Sequence, residues 1–377
     1  MRLAFIDPDR GDYTLDSTAD MPLGGSRAAL CYLAEQLVKI GHDVFIFSKS
    51  RHGGASRGVI MLPEEVAYSG QVFRDLRPDA VMVLNFPRVA ERLRPVLAAQ
   101  TRLVLWEQNA AASQAVTMLK DPALTALYDG FVLASDWQAA DYDRHYGLDR
   151  SKVRILRNAI APYFGALFSD PRALLNAKPG PPVLVYTSTP QRGLGRLISL
   201  FPRIRGAVPE ARLKVFSSMQ VYQFTAEQDG WGPLYQQCRD TEGAEYLGSV
   251  PQPELARHLV AAHIHAYPTS FLETSCIAVL EAMASGCTVV TSESGAMPET
   301  TAGFARIVPG QFRVDTDDFD NRFVEATIAA LRDWRDADRE AWADRLYRQV
   351  CYINNVYDWR HRAGEWTRWL GELCYRP

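Results

Sequence analysis

Short apolar runs alternate with helical patterns along the whole chain, and the alternation breaks once and then restarts. This rhythm constrains the fold more than any single motif. Strands separated by helices pair as a parallel sheet covered on both faces. In the first half, the apolar runs at 3–6, 44–47, 80–84, 103–106, 131–134 and 153–156 read as strands. Leu30, Leu33, Leu37 and Ile40 recur at helical spacing between the first two, and Gly41 is a natural stop for that helix. The break lies at 162–182, where Pro162, Pro171, Pro179, Pro181 and Pro182 crowd together with Gly165 and Gly180. That density marks a linker. Beyond it, 183–186, 213–216, 245–247, 264–267 and 288–290 read as a second set of strands.

A chain of 377 residues exceeds one ordinary domain. The pattern predicts an α/β protein of two doubly wound, Rossmann-like domains, at 1–161 and 183–355, joined by the linker 162–182 and followed by a helical end at 356–377. Two such domains would face each other across a cleft. Ligands of open α/β sheets bind outside the carboxyl ends of the strands, so chemistry is expected in the loops that follow them.

Composition excludes several functions. Lysine plus arginine number 41 against 44 aspartates plus glutamates, and residues 1–160 hold 19 of each. Neither half is basic, so no nucleic-acid partner is expected and at most peripheral contact with an anionic membrane. The six cysteines, Cys31, Cys238, Cys276, Cys287, Cys351 and Cys374, form no CxxC pair and no zinc-ligand spacing. Free buried thiols in a reducing compartment are expected. The apolar run of MRLAFIDPD ends at Asp7, short of a signal-peptide core, and no stretch approaches about 18 apolar residues. A cytoplasmic location follows as the expectation.

The densest chemistry lies at 271–286, FLETSCIAVLEAMASG. Pro268 stops the preceding strand, a helix is expected from Thr274 or Ser275 to Ser285, and Gly286 suits the position just past its end. Eight residues rotate a helix by about 80° beyond two full turns. Glu273 and Glu281 would then not share a helical face, and the spacing fits better with Glu281 in the helix and Glu273 in the loop before it. Between them the amides of Ser275, Cys276 and Ile277 would be unpaired, at a helix start carrying about half a positive charge. A ligand with a central pyrophosphate and hydroxyl-bearing sugars at both ends suits this layout. Two glutamates eight apart also occur in ordinary helices, the first favouring the dipole and the second facing solvent.

FLETSCIAVLEAMASG resembles the E-x7-E signature of glycosyltransferase family 4, a family of retaining enzymes with the GT-B fold. YLGSV (246–250), PQPELARHLVAAHIHAYPT (251–269) and TSESGAMPE (291–299) resemble the family's order of elements. So do VYTSTPQRGLGRL (185–197) and GGSRAALCYLAEQLVKIGHDV (24–44), and the resemblance covers most of the chain. It implies that Glu281 binds the nucleotide ribose and that Glu273 contacts the donor sugar near its anomeric centre. Arg192, in Ser188-Thr189-Pro190-Gln191-Arg192-Gly193, matches the second position of a basic pair that neutralises the diphosphate. Thr189 stands where the first arginine is often found. Ser188, Val250, Thr274, Ser275, Cys276 and Ile277 complete the implied donor site.

On the first-domain side, Gly24 and Gly25 open a helix where backbone would approach the phosphates. Arg27 beside them would reach phosphate or face solvent. Gln108 and Asn109, in Trp106-Glu107-Gln108-Asn109, stand near a histidine–aspartate pair of many relatives, on the acceptor side. Neither is a general base at neutral pH. Asn158-Ala159-Ile160 replaces the usual Asn-Gly-Ile/Val. The end VYDWRHRAGEWTRWL (356–370) resembles the family's last helix, which crosses back to the first domain, so its tryptophans are expected in interdomain packing.

The implied reaction moves a sugar from a nucleoside-diphosphate sugar to an acceptor hydroxyl with retention of anomeric configuration. Glu273 and Arg192 are the candidate catalytic residues. The expected partners are the nucleotide-sugar donor and a saccharide or other hydroxyl-bearing acceptor. His263 and His265 share a strand face, where such pairs are more often structural than metal-binding. No metal or other cofactor is expected. Two rival readings stay open: a sugar-nucleotide epimerase or phosphorylase on a similar scaffold, and a non-catalytic nucleotide-sugar-binding protein. Thr189, Gln108 and Asn109 keep the second of these alive.

Overall fold

The sheet of the first unit is built from β1 (Arg2–Asp7), β2 (Asp43–Ser48), β3 (Gly54–Ser56), β4 (Val59–Pro63), β5 (Ala80–Leu84), β6 (Arg102–Glu107), β7 (Gly130–Leu133) and β8 (Val153–Ile155). The computed structural model describes residues 1–9, 11–51, 53–310, 316–336 and 338–375. The strands run in the order β3-β4-β2-β1-β5-β6-β7-β8. Leu3, Ala4, Phe5 and Ile6 of the central β1 are fully buried, as a parallel strand covered on both faces requires. Among the described residues, only the β3–β4 pairing is antiparallel. Its two-residue turn, Arg57-Gly58, has both φ angles positive (49° and 83°), the mirror-image turn that matches strand twist.

The second unit holds β9 (Val183–Tyr186), β10 (Arg212–Val215), β11 (Ala244–Tyr246), β12 (Ile264–Tyr267), β13 (Thr288–Ser292) and β14 (Arg306–Val308). All its pairings are parallel, in the order β11-β10-β9-β12-β13-β14. This is the doubly wound order in which the chain reverses direction once, here between β9 and β12. The first unit comprises Met1–Thr18, Gly24–Ala159 and Trp359–Pro377, and the second Ala19–Leu23 and Ile160–Asp358.

Three expectations change. The helix Gly25–Lys39 buries Leu30, Leu33 and Leu37, but Ile40 caps its end and is 49% exposed. Residues 162–182 are folded into the second unit instead of hanging as a linker. Asp170 caps the helix Pro171–Asn176, accepting from Ala173 N at 2.8 Å, and Pro171 sits at the first helical position, where no amide is needed. Leu174 is buried with Trp342, Leu346 and Val350 of the helix Arg339–Val356. The Lys178 ammonium is buried and donates to the carbonyls of Val260 (3.0 Å), Ala262 and Ser285 (2.8 Å), closing the ends of the helices Gln252–Ala261 and Ile277–Ala284. Proline density therefore reported a helix start.

The third change concerns tryptophan. Trp359, Trp366 and Trp369 lie on the helix Trp359–Tyr375, which is part of the first unit. Trp366 packs 5.1 Å from Trp106 and 6.3 Å from Phe5, and Trp359 lies 6.5 Å from Tyr32. Trp334 and Trp342 pack edge to face at 6.1 Å inside the second unit. Each of these ring contacts falls within one unit. All six cysteines are free. No described helix is long and apolar enough to cross a membrane.

Candidate functional site

The reversal between β9 and β12 leaves a crevice at the carboxyl ends of these two strands, and the loop after each supplies one half of a buried charge pair. Arg192, from the loop after β9, points Nη1 at both carboxylate oxygens of Glu273, from the loop after β12, at 2.8 and 2.9 Å. Tyr267, the last residue of β12, donates its hydroxyl to Glu273 Oε1 at 2.6 Å and lies 3.3 Å from Ser188 Oγ. The Arg192 guanidinium also sits 4.0 Å from the centre of the Phe271 ring. Glu273 is 3% exposed, so these donors take the place of water around its oxygens. The two loops touch at Gly193, whose φ is +110° and where a Cβ would come within 2.3 Å of Pro268 O. Only glycine fits that approach.

The loop carrying Glu273 is held along its length. Thr291 Oγ1 donates to Tyr267 O (2.9 Å), Ser292 Oγ to Thr269 O (2.5 Å), Ser294 Oγ to Phe271 O (2.7 Å) and Ala296 N to Glu273 O (2.7 Å). Carbonyls at 267, 269, 271 and 273 alternate like strand acceptors, so hydroxyls continue the β12–β13 pairing past the sheet. Gly295, at φ +61°, lies against the Glu273 backbone, and a Cβ there would come within 2.2 Å of Glu273 O. These residues received no role from sequence reasoning. Their signal was the Thr/Ser alternation and glycine in TSESGAMPE.

The following helix runs Ile277–Ala284 with Cys276 as its N-cap, two or three residues later than expected. Its first internal bond is Leu280 N to Cys276 O. The first-turn amides are therefore those of Ile277, Ala278 and Val279, while Thr274 and Ser275 belong to the loop. Glu281 faces inward, 3% exposed, and its Oε1 accepts from Ala161 N at 3.3 Å. Burial raises its pKa to about 8, against the pull of hydrogen bonds from Ala161 and Gln252. Val250 is half-buried in the loop after β11. Thr189 is 6% exposed and its carbonyl accepts from the Tyr186 hydroxyl at 2.8 Å.

The first-unit candidates are tied into local structure. Gly24 is the N-cap of Gly25–Lys39 with φ −61°, a conformation open to any residue. Arg27 does not face solvent. It is buried, with Nε 3.1 Å from Asp7 Oδ2 and Nη2 2.8 Å from Asp9 Oδ2. Gln108 Oε1 accepts from Asn158 Nδ2 at 3.2 Å, and Asn109 Nδ2 donates to Glu107 Oε1 at 2.6 Å. Glu107, which sequence reasoning passed over, is fully buried, and its Oε1 also accepts the amides of Gln108 and Asn109. Burial lifts its pKa to about 7 against those bonds. Its only sequence signal was an acidic residue closing an apolar strand.

Both histidines of the strand pair are buried beside hydrogen-bonding groups. His263 Nδ1 accepts from Val183 N at 3.2 Å, and His265 Nε2 lies 3.0 Å from Thr187 Oγ1. Burial holds His265 down at a pKa of about 3, a neutral ring. Burial, and then the Lys178 charge, lowers His263 to about 4.

Residues 181–333 match the family model described as glycosyl transferases group 1. No curated protein matches the chain by sequence. Among solved structures it resembles a sucrose-phosphate synthase from Thermosynechococcus elongatus, with TM-score 0.71 and 18% identity over 99% of this chain and 98% of that one. It also resembles a glycosyltransferase from Rickettsia africae, with TM-score 0.72 and 10% identity over 100% and 99%. A third is the Anabaena protein HepE in complex with UDP and glucose, with TM-score 0.68 and 14% identity over 99% and 100%.

Proposed function

We propose that this chain, which has the GT-B fold of two Rossmann-like domains, moves a sugar from a nucleoside-diphosphate sugar to an acceptor hydroxyl with retention at the anomeric carbon. The observation that carries this reading is the buried Tyr267–Glu273–Arg192 cluster at the strand reversal, next to a helix start whose second turn carries Glu281. The match of residues 181–333 to glycosyl transferases group 1 and the UDP-bound Anabaena neighbour support it.

The guanidinium has five N–H donors and Glu273 occupies one nitrogen, so Arg192 binds a diphosphate without leaving its carboxylate. The first-turn amides of Ile277 and Ala278 add dipole charge on the same ligand. Glu273 accepts from donor-sugar hydroxyls, and Glu281 accepts from the ribose. In the reaction the bond from the anomeric carbon to the diphosphate oxygen breaks, and its electrons stay on that oxygen. The acceptor oxygen attacks from the same face, and its proton passes to the departing diphosphate oxygen. The protein supplies orientation and charge stabilisation, with no proton-transferring side chain and no metal.

A thermal-shift screen of UDP, GDP and ADP identifies the nucleotide, since a ligand at about 100 times its Kd stabilises by about 2.7 kcal/mol. The matching nucleotide sugars are then incubated with an acceptor panel, with and without EDTA, and the product anomer is read by NMR. A retained anomer formed in EDTA is the expected result. Nucleotide binding with no nucleotide release from any donor would make the protein a binder. An inverted product, or loss of activity in EDTA, would overturn the mechanism.

A further inference from the structure

A cavity of about 310 Å³ opens in the second unit among the start of the helix Leu194–Ala207, the start of the helix Gly232–Asp240 and the loop after β12. Pro190 and Pro268 form rigid walls, Gln191, Arg196 and Ser270 bring polar groups, and Trp231 stands at its edge. Its volume is at the lower end of the roughly 300–1,000 Å³ of small-molecule sites. None of the assigned donor-binding side chains lines it. It does share their loops, because Gln191 precedes Arg192 and Ser270 precedes Phe271.

Trp231 is 36% exposed, an apolar ring left facing water. Its backbone is nonetheless fixed. Asp229 Oδ1 accepts from Trp231 N at 3.2 Å and from the Tyr235 hydroxyl at 3.0 Å, and Oδ2 accepts from Met219 N at 3.0 Å. Tyr235 in turn stacks on Tyr246 at 4.8 Å. One half-buried carboxylate therefore ties three points of the 219–235 segment together. The ring is presented from a pre-organised base, which lowers the entropic cost of using it as a contact surface.

We propose that this cavity binds one pyranose unit of a neutral oligosaccharide. The C–H face of a pyranose stacks on the indole, and the Gln191 amide and Ser270 hydroxyl meet its equatorial hydroxyls. Trp231, Pro190 and Pro268 give the cavity apolar walls that favour a neutral ligand, and its one lining cation, Arg196, has Nε 3.0 Å from Asp320 Oδ1. The site is separate from the Arg192–Glu273 pair and does not depend on transfer chemistry. Its consequence for a transferase is that a glycan chain is retained beside the reaction site between turnovers.

Two variants probe it from opposite directions. Trp231→Ala removes the platform. Gly195→Met fills the cavity at a position where a Cβ would meet only Leu234, at 3.8 Å, so the fold accommodates it. Binding of neutral gluco-, galacto-, manno- and N-acetylglucosamine oligosaccharides is measured by calorimetry and saturation-transfer NMR on the full chain, with Tm reporting that each variant is folded. The expected result is that at least one series binds the parent, that both variants weaken it ten-fold or more, and that Trp231→Phe retains most of the affinity. No binding to the parent by any series, or affinity equal to the parent's in either Trp231→Ala or Gly195→Met, would overturn the proposal. So would inorganic phosphate binding that Trp231→Ala abolishes, which would make the cavity an anion site.

Discussion

Arg192 Nη1 bridges both oxygens of Glu273, at 2.8 and 2.9 Å, although the two residues are 81 positions apart and follow different strands. The pair converts two sequence candidates into one unit, and its members should not behave independently. Arg192→Ala leaves a carboxylate that is 3% exposed without its cation. Such losses cost about 3–5 kcal/mol when both partners are buried. Arg192 is 22% exposed on its side chain, so about 2 kcal/mol is expected. Denaturant unfolding checks this. The double variant Arg192→Ala/Glu273→Ala should be more stable than the sum of the single losses, by about 1 kcal/mol or more. Strict additivity would show that the pair does not act as a unit.

In the proposed reaction the role of Tyr267 is to position Glu273. Tyr267→Phe removes the 2.6 Å bond to Glu273 Oε1 and the 3.3 Å contact with Ser188 while keeping the ring. The stability change should be about 1 kcal/mol. The kinetic change should be larger, with kcat about ten-fold lower and KM for the donor nearly constant, because a misplaced Glu273 harms orientation in the transition state more than binding. A change confined to Tm, with kcat intact, would reduce Tyr267 to a packing residue.

Glu281 makes stability depend on pH in a definite direction. Burial holds its pKa at about 8 in the folded chain, against an ordinary value of 4.5. Between these values the folded state keeps a proton that the unfolded state has lost, so this group's contribution is full below pH 4.5 and is lost as pH rises through 8. The slope is at most about 1.4 kcal/mol per pH unit. Glu281→Gln cannot ionise, so its Tm should gain on the parent steadily from pH 5 to pH 8, then level off. The same variant should bind nucleotide at least ten-fold more weakly if the carboxylate holds the ribose. A Tm difference that stays flat across that range would place the titration elsewhere.

Particular residues show why some of this was legible in the sequence. Parallel strands in the middle of each sheet were visible because each is a short run buried on both faces, such as 3–6 and 80–84. The edge strand β3 and its neighbour β4 were not, since Gly54–Ser56 carries no alternating pattern and depends on the Arg57-Gly58 turn, and neither was the edge strand β14, Arg306–Val308. Glu273 and Glu281 were legible as loop and helix residues from their rotation alone. The helix start was misread because Thr274 and Ser275 are good capping types, yet the loop they occupy is held by hydroxyls from 291–294, and Cys276 takes the cap. Arg27 was misread for a related reason. Its partners Asp7 and Asp9 lie about 20 residues away, at the end of another strand, and only the fold brings them together. Local pattern reports which face is buried; it does not report which distant group will satisfy a charge.

Gly295 offers the sharpest test of how Glu273 is placed. The Ser292–Ala296 segment grips the 267–273 loop from one side, through Ser294 Oγ to Phe271 O and Ala296 N to Glu273 O. Gly295 sits between those two contacts with φ +61°, and an added Cβ would come within 2.2 Å of Glu273 O and 2.7 Å of Glu273 N. Those atoms are backbone and cannot rotate away, so Gly295→Ala must push the Glu273 loop outward as well as strain its own dihedral. Ser294→Ala removes one hydroxyl bond without a clash and should cost only about 1 kcal/mol. Gly295→Ala should therefore lower transfer about 100-fold or more while Ser294→Ala lowers it only a few-fold, with nucleotide affinity in both falling less than kcat. If Gly295→Ala transfers as well as the parent, the close approach at 295 does not set the position of Glu273.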